Sequence, residues 1–502
     1  MQLISLNKSM EEQQQSSYRQ IMKATSLFGG VQVFNIIISI IRSKFIAVLL
    51  GPAGIGIAGL LTSTTSIIGG LTNFGLGTSA VRDVASANVT GNATRIATVV
   101  NVLRRWVWVT GTLGTLVMSV LSPWLSQLTF GNRNYTLSFV WISITLLFNQ
   151  LTTGQLVLLQ GMRKLQYLAK ASLTGSALGL IITVPLYYRF GIDGIVPTII
   201  IASVISLFFS WCFAKKVKIK FIRVSRVRTL AEGKNMLTMG FMISMSGLIT
   251  MGVSYLVSIF ISNTGGITQV GLYVAGFAII NGYFSMIFTA MGTDYYPRLS
   301  AVAHSNYLSK RTINQQAKIA LLILAPILMV FLVFIQWVVI ILYSQKFIAV
   351  NTMLHWAALG MLFKAASWSI AFILLAKGAS TLFFWNELIG NIYVLGLNML
   401  GYYFMGLTGL GISFMIGYIL YLIQVFVLCK IKYQFSFDAN FIHIFIIQFL
   451  LAVSCFMVVK FIGKPYSYVI GIGLIIISSW YSYKELDKRI GLKSLIKLKL
   501  RL

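Results

Sequence analysis

Three cations and one carboxylate fall inside runs apolar enough to cross a bilayer: Arg42, Lys44, Lys364 and Glu387. A charge at that depth costs about 2.5–3.5 kcal/mol to insert, so it faces a partner or a wet cavity. Gln32, Asn35, Ser39 and Arg42 recur at i, i+3, i+7 and i+10, which puts them on one helical stripe with Arg42 at its top. Lys44 is turned about 200° away; it either snorkels to the outer headgroups or joins the site. A guanidinium offers a planar bidentate fork to phosphate and an ammonium a compact charge, so this set suits an anionic, phosphorylated ligand.

Lys364 and Glu387 allow two readings. They neutralise each other across adjacent helices, or Lys364 faces the ligand and Glu387 couples proton movement. Arg82-Asp83 ends the second apolar run and Asp294-Tyr295-Tyr296-Pro297-Arg298 the eighth. These two arginines either anchor the inner face or guard a cytoplasmic mouth. Asn281, Ser285 and Thr289 recur at i+4, as do Ser246, Thr250, Ser254, Ser258 and Ser262. Such rows serve close helix packing or a hydrated wall for a sugar. His304, His355 and His443 are isolated, Cys212, Cys429 and Cys455 are scattered, and no P-loop occurs. Neither a metal site, a cofactor nor nucleotide hydrolysis is expected.

The elements that position these residues follow from composition. Of 502 residues 57% are hydrophobic and only 10% charged, whereas soluble domains carry about 25% charged residues. The chain reads as an all-α polytopic membrane protein. Apolar runs predict 14 spans near 24–50, 55–81, 98–127, 136–159, 166–188, 192–214, 238–262, 267–292, 316–343, 350–376, 380–403, 407–429, 441–462 and 466–483. The polar first 20 residues hold no apolar signal-peptide core. A net charge of +30 would suggest nucleic acid in a soluble protein. Here, with both termini in the cytoplasm, 32 basic residues fall inside and five outside, so the charge sets topology and no nucleic-acid partner is expected.

The chain also reads as one unit written twice. At an offset of 215, Tyr187-Tyr188…Gly191…Gly194 lands on Tyr402-Tyr403…Gly406…Gly409. In the same register Gly56 meets Gly271, Gly175 meets Gly390 and Leu147-Phe148 meet Leu362-Phe363. Six spans per unit make a parallel repeat about a pseudo-two-fold along the membrane normal. The expected division is an N-lobe over 1–214, a basic cytoplasmic linker over 215–234, a C-lobe over 235–431, and an extra hairpin with a basic tail over 432–502.

Two rocking lobes point to a transporter by alternating access. A polytopic glycosyltransferase or polymerase needs a catalytic platform outside the bilayer, and the loops are too short for one. A channel has no need of a duplicated scaffold with unmatched basic residues.

Four stretches carry a family resemblance: SKFIAVLLGPAGIGIAGL, LLQGMRKLQYLAKASL, DYYPRLS, and LYSQKFIAVNTMLHWAALGMLFKAASWSIAFILLAKGA around Lys364. Over about residues 20–430 the chain resembles the Wzx-type O-antigen and polysaccharide-repeat flippases of the multidrug/oligosaccharidyl-lipid/polysaccharide exporter superfamily. The resemblance implies a bacterial inner-membrane flippase that moves undecaprenyl-pyrophosphate-linked oligosaccharide from the inner to the outer leaflet. The family's cationic cavity would map onto Arg42, Lys44 and Lys364, with Arg82 and Arg298 at the inner mouth. Gln32, Asn35, Ser39, Asn281 and Ser285 would form its polar wall. Membrane lipids surround it, and a polysaccharide polymerase and chain-length regulator are its implied partners. The extra hairpin is similar to that of the lipid II flippases, which stand as an alternative. A multidrug exporter of organic cations is disfavoured, because Glu387 alone would have to meet the cation.

Overall fold

The computed structural model describes residues 2–219, 222 and 224–490, with side chains from Phe34 onward except at 220, 221, 223, 235, 242, 243, 246, 283, 293 and 490. Gln32 and the tail from 491 therefore lie outside the described side chains. The helices are α1 (Gln2–Thr72), α2 (Leu76–Val89), α3 (Ala93–Phe130), α4 (Thr136–Gly161), α5 (Leu165–Phe190), α6 (Ile195–Ala214) and α7 (Arg226–Gly265). They continue as α8 (Ile267–Phe277), α9 (Phe284–Ala301), α10 (Asn306–Leu342), α11 (Asn351–Ala376), α12 (Ser380–Tyr433), α13 (Ala439–Phe461) and α14 (Tyr466–Ile490). Two compact units result, Met1–Tyr255 and Leu256–Leu502, the division falling within α7.

Ten stretches among the described residues are long and apolar enough to cross a membrane. Two of them, Leu165–Ala214 and Ser380–Tyr433, each hold two expected spans, and Phe34–Thr72 joins parts of the first two. The 54 residues of α12 would reach about 81 Å if straight, far beyond a bilayer core of about 30 Å. The helix folds back at Gly406 (φ 57°, ψ −138°). Ser413 Oγ donates to the Leu397 carbonyl at 2.6 Å and Gln424 Nε2 to Asn386 Oδ1 at 2.9 Å, pairings that step down an antiparallel hairpin. The last expected span forms α14 but is not among the ten; Tyr466, Tyr468, Ser478, Ser479, Trp480 and Tyr481 flank a short apolar centre.

The second expected span is broken. Helix α1 ends at Thr72, Phe74 (φ 48°) and Gly75 (φ 64°) turn left-handed, and α2 restarts at Leu76. The turn is closed locally, with Asn73 Oδ1 accepting from the Gly75 amide at 2.7 Å, and it is also a close crossing. A Cβ on Gly75 would lie 2.0 Å from the Gly240 carbonyl oxygen, so the bend is where the α7 backbone passes against it.

The repeat is written in the backbone itself. Gly51 (φ 66°, ψ −167°) and Gly266 (φ 84°, ψ 170°) are 215 residues apart. So are Arg163 (φ 54°) and Gly378 (φ 68°). The residues after that second pair, Lys164 (φ −83°, ψ 58°) and Ala379 (φ −81°, ψ 58°), open α5 and α12 alike. Their amides donate five residues back, to Leu159 at 2.8 Å and Leu374 at 2.9 Å.

Lipid tails are as apolar as leucine, so helix association within each unit rests on close packing and polar links. In the second unit a Cβ on Gly411 would come 2.3 Å from the Met353 carbonyl oxygen, which brings α12 hard against α11. In the first, the Tyr255 hydroxyl of α7 meets Thr64 at 3.0 Å and Thr129 at 2.8 Å, tying α7 to α1 and α3. Helices α13 and α14 pack on α10: Trp337 Nε1 donates to Tyr468 at 3.2 Å, and Asp438, which caps α13, pairs with Lys318.

Candidate functional site

In the first unit the polar stripe of α1 lies along α5. Asn35 Nδ2 donates to Ser172 Oγ at 3.1 Å. Seven residues further along both helices, the Arg42 guanidinium sits 3.4 Å from the place a Cβ on Gly179 would occupy. The two helices therefore run parallel here, and a glycine makes room for the cation. The Arg42 Nε is buried without an acceptor, and Asn35 Oδ1 is buried without a donor. Ser39, between them on the stripe, is exposed. Lys44 is half-buried and has interactions of its own. Among the described residues no carboxylate pairs with Arg42.

In the second unit Lys364, on α11, is held by a different device. Its Nζ donates to Asn281 Oδ1 at 3.3 Å. Three rings surround the ammonium, with centroids at 5.1 Å (Tyr418), 5.8 Å (Phe414) and 5.9 Å (Phe288). Each face-on ring contributes about 0.5–2 kcal/mol to a cation, more as water is excluded. Asn281 lies on a π-helical turn, Ala278–Tyr283, between α8 and α9. The extra residue in such a turn re-aims the side chains on it. Ser285, four residues on, donates to the Gly282 carbonyl at 3.0 Å and so is engaged with its own backbone.

Glu387 does not pair with Lys364. Its carboxylate accepts from the Tyr421 hydroxyl, which in turn accepts from Asn386 Nδ2 at 3.1 Å. The Tyr418 and Tyr421 rings meet edge to face at 6.4 Å. Cation and carboxylate thus sit at opposite ends of an aromatic pair. The spacing of Phe414 and Tyr418 at i+4 is the signal for this cage, and it reads equally as ordinary apolar packing.

Arg82 and Arg298 each have a carboxylate at hand. Arg82, its side chain 64% exposed, lies 3.3 Å from Asp83. Arg298 Nη2 donates to Gln316 at 3.0 Å, and its Nε is 3.8 Å from Asp294. Exposed pairs of this kind contribute about 0–1 kcal/mol, so either arginine can be drawn to a stronger anion. Among the described residues no cluster of His, Cys, Asp and Glu could hold a metal ion.

Comparison with known proteins gives three findings. The model of the polysaccharide biosynthesis protein family matches residues 45–352. The lipid III flippases of Escherichia coli (strain K12) and Shigella flexneri are each 21% identical over 342 residues, 67% of this chain and 80% of theirs. Among solved structures, the lipid II flippase MurJ in an inward closed conformation superposes with a TM-score of 0.68 at 12% identity, covering 93% of this chain and 99% of that one. An inward-facing multidrug-resistance MATE transporter of the MOP superfamily gives 0.67 at 15% identity, covering 80% and 94%.

Proposed function

The chain belongs to the polysaccharide biosynthesis protein family and has the fold of the multidrug/oligosaccharidyl-lipid/polysaccharide exporter superfamily, and from that premise we propose that it flips a lipid-linked oligosaccharide. The substrate of this reading is an undecaprenyl-pyrophosphate-linked repeat unit, of the O-antigen kind, moved from the cytoplasmic to the outer leaflet of a bacterial inner membrane by alternating access. Both termini are cytoplasmic in this reading, and a polymerase and chain-length regulator receive the product.

One observation carries it. Arg42 and Lys364 lie inside spans and, among the described residues, neither forms an ion pair with a carboxylate. Selection against buried charge is strong, so each of these cations is retained to meet an anion that arrives from outside the chain. A pyrophosphate headgroup is such an anion; the prenyl tail stays in lipid, and Asn35, Ser39 and Asn281 offer hydrogen bonds to sugar. The one carboxylate expected within the hydrocarbon, Glu387, is already occupied by Tyr421, which disfavours an exporter of organic cations. A lipid II-type substrate is the second reading, favoured by the α13–α14 pair on α10.

The test is reconstitution. Proteoliposomes with the wild-type chain should flip a fluorescent undecaprenyl-pyrophosphate oligosaccharide, and Arg42→Gln and Lys364→Gln should each slow it at least tenfold with normal insertion. Wild-type rates in both variants would remove the pyrophosphate reading.

A further inference from the structure

The first unit carries a groove that the transport reading does not use. It has a volume of about 790 Å3 and runs between α3, α4 and α6. Helix α4 forms the floor from Leu158 to Leu147, eleven residue steps that span about 16 Å. Leu151 keeps the floor apolar, and Val107, Val204 and Leu207 do the same for the walls.

One end is different. Arg104, eleven residues into α3, and Lys215, just past the last residue of α6, both line the groove toward its Leu158 end, and both are exposed. Among the described residues neither forms an ion pair. Lys215 Nζ lies 5.0 Å from the Trp211 ring centroid. Trp108 and Trp211, 54% and 48% exposed, stand at the walls. Gln155, also in the lining, has its side-chain carbonyl oxygen buried with no donor.

We infer that this groove is a binding site for an anionic glycerophospholipid of the inner leaflet, one acyl chain lying along α4 with the phosphate at Arg104 and Lys215. Three features select that occupant. The length matches one leaflet, about half of a 30 Å hydrocarbon core. Charge is confined to one end, on the face where the charge count puts the cytoplasm, and basic pockets there recognise anionic headgroups. Tryptophans beside them belong at headgroup depth. A glycerol headgroup also brings hydroxyl donors, which the Gln155 oxygen lacks. A helix from another protein would need apolar surface at both ends of the groove.

Phosphatidylglycerol and phosphatidylcholine with brominated acyl chains quench tryptophan on contact, and they are the probes to titrate into the detergent-purified full chain. Brominated phosphatidylglycerol should half-quench at about a tenfold lower concentration than brominated phosphatidylcholine. In Arg104→Gln/Lys215→Gln, which changes only exposed side chains, the gap should close to within twofold. In Trp108→Phe/Trp211→Phe the phosphatidylglycerol-specific quenching should disappear. Equal quenching by the two lipids in the wild-type chain means unselective annular lipid and overturns the proposal. So does a gap that survives the charge substitutions, or specific quenching that survives loss of both tryptophans. Absence of any quenching at Trp108 and Trp211 would mean that the groove is closed or covered by protein, and overturns it too.

Discussion

Gly191 and Gly406, 215 residues apart, hold the same backbone conformation, φ 55° and ψ −131° against φ 57° and ψ −138°. Each sits at the turn where one helix of a hairpin hands over to the next. What each turn brings together also matches. A Cβ on Gly194 would lie 2.9 Å from the Leu186 carbonyl oxygen, and a Cβ on Gly409 would lie 1.8 Å from that of Gly401, the corresponding pair. Deeper in the hairpins, Gly175 faces Ser206 as Gly390 faces Tyr421. The equivalent positions therefore share their packing as well as their dihedral angles, as the 215-residue repeat requires of its hairpins.

That conformation lies in a region that residues with a Cβ avoid at a cost of about 1–3 kcal/mol. Gly406→Ala should lower the midpoint of thermal unfolding in detergent. Gly396→Ala is the control: it lies within α12, nothing lies within 4 Å of its added Cβ, and alanine there should be neutral or stabilising by up to about 1 kcal/mol. An unchanged midpoint in Gly406→Ala, with secondary structure preserved, would mean the turn relaxes into an ordinary conformation.

The cage at Lys364 separates ring from hydroxyl. Tyr418→Phe keeps the face that the ammonium sees at 5.1 Å, so flipping should change less than twofold. Tyr418→Leu removes it, and a loss of about 0.5–2 kcal/mol corresponds to roughly 2- to 30-fold in apparent affinity. The measurement is the substrate concentration dependence of the initial flipping rate. Equal effects of Phe and Leu would place the role of Tyr418 in its hydroxyl instead.

Glu387 accepts a hydrogen bond from Tyr421, and glutamine at 387 can still accept it while having no proton to exchange. If the carboxylate carries a coupling proton, Glu387→Gln should flip at a rate indifferent to a pH gradient across the vesicle, while the wild-type rate follows the gradient. A variant that keeps the wild-type gradient dependence would leave Glu387 a structural acceptor.

What could be read from residue type and spacing was whatever depends on local chemistry. Gly51, Gly191 and Gly406 announce left-handed turns because they are glycines between apolar runs, and their register exposes the repeat. Arg163 has the same kind of backbone, φ 54°, at the place where its equivalent is Gly378, and nothing in its residue type reveals that. At the break the local signal is Asn73-Phe74-Gly75, whose Asn73 side chain turns back to the Gly75 amide, but the pass of Gly240, 165 positions later, has no local signal. Likewise the pairing of Lys364 with Glu387 fails because a hairpin returns Tyr421 to the carboxylate first. Stripe and cation on α1 were legible, since Asn35 and Arg42 share one helix; the facing Ser172 and Gly179 on α5 were not.

Asp438 does two jobs where α13 meets α10. Its Oδ1 accepts from the Phe441 amide at 2.7 Å and caps the helix, while Oδ2 meets Lys318, whose side chain is only 11% exposed. Asparagine can still cap but cannot neutralise the lysine; alanine does neither. The cap contributes about 1 kcal/mol, and stranding a nearly buried ammonium costs more, about 1–3 kcal/mol. Asp438→Ala should therefore destabilise more than Asp438→Asn, with Lys318→Met/Asp438→Asn recovering part of the loss. Protease nicking near 434–438 after mild heating gives the order; identical rates for Ala and Asn would show that the cap contributes nothing.

Movement of the pyrophosphate has a sign. An interior-negative potential favours outward passage of an anion by about 2.3 kcal/mol per charge per 100 mV. If Arg42 and Lys364 release the headgroup during each cycle and stay behind, its negative charges cross uncompensated and the potential itself drives turnover. A potassium gradient with valinomycin, set negative on the side of substrate entry, should raise the initial flipping rate, and reversing the gradient should lower it. Collapse of the potential should bring the rate to an intermediate value. A rate that is the same under all three conditions would mean that a co-moving cation cancels the charge, and the energy for export would then have to come from that ion's own gradient.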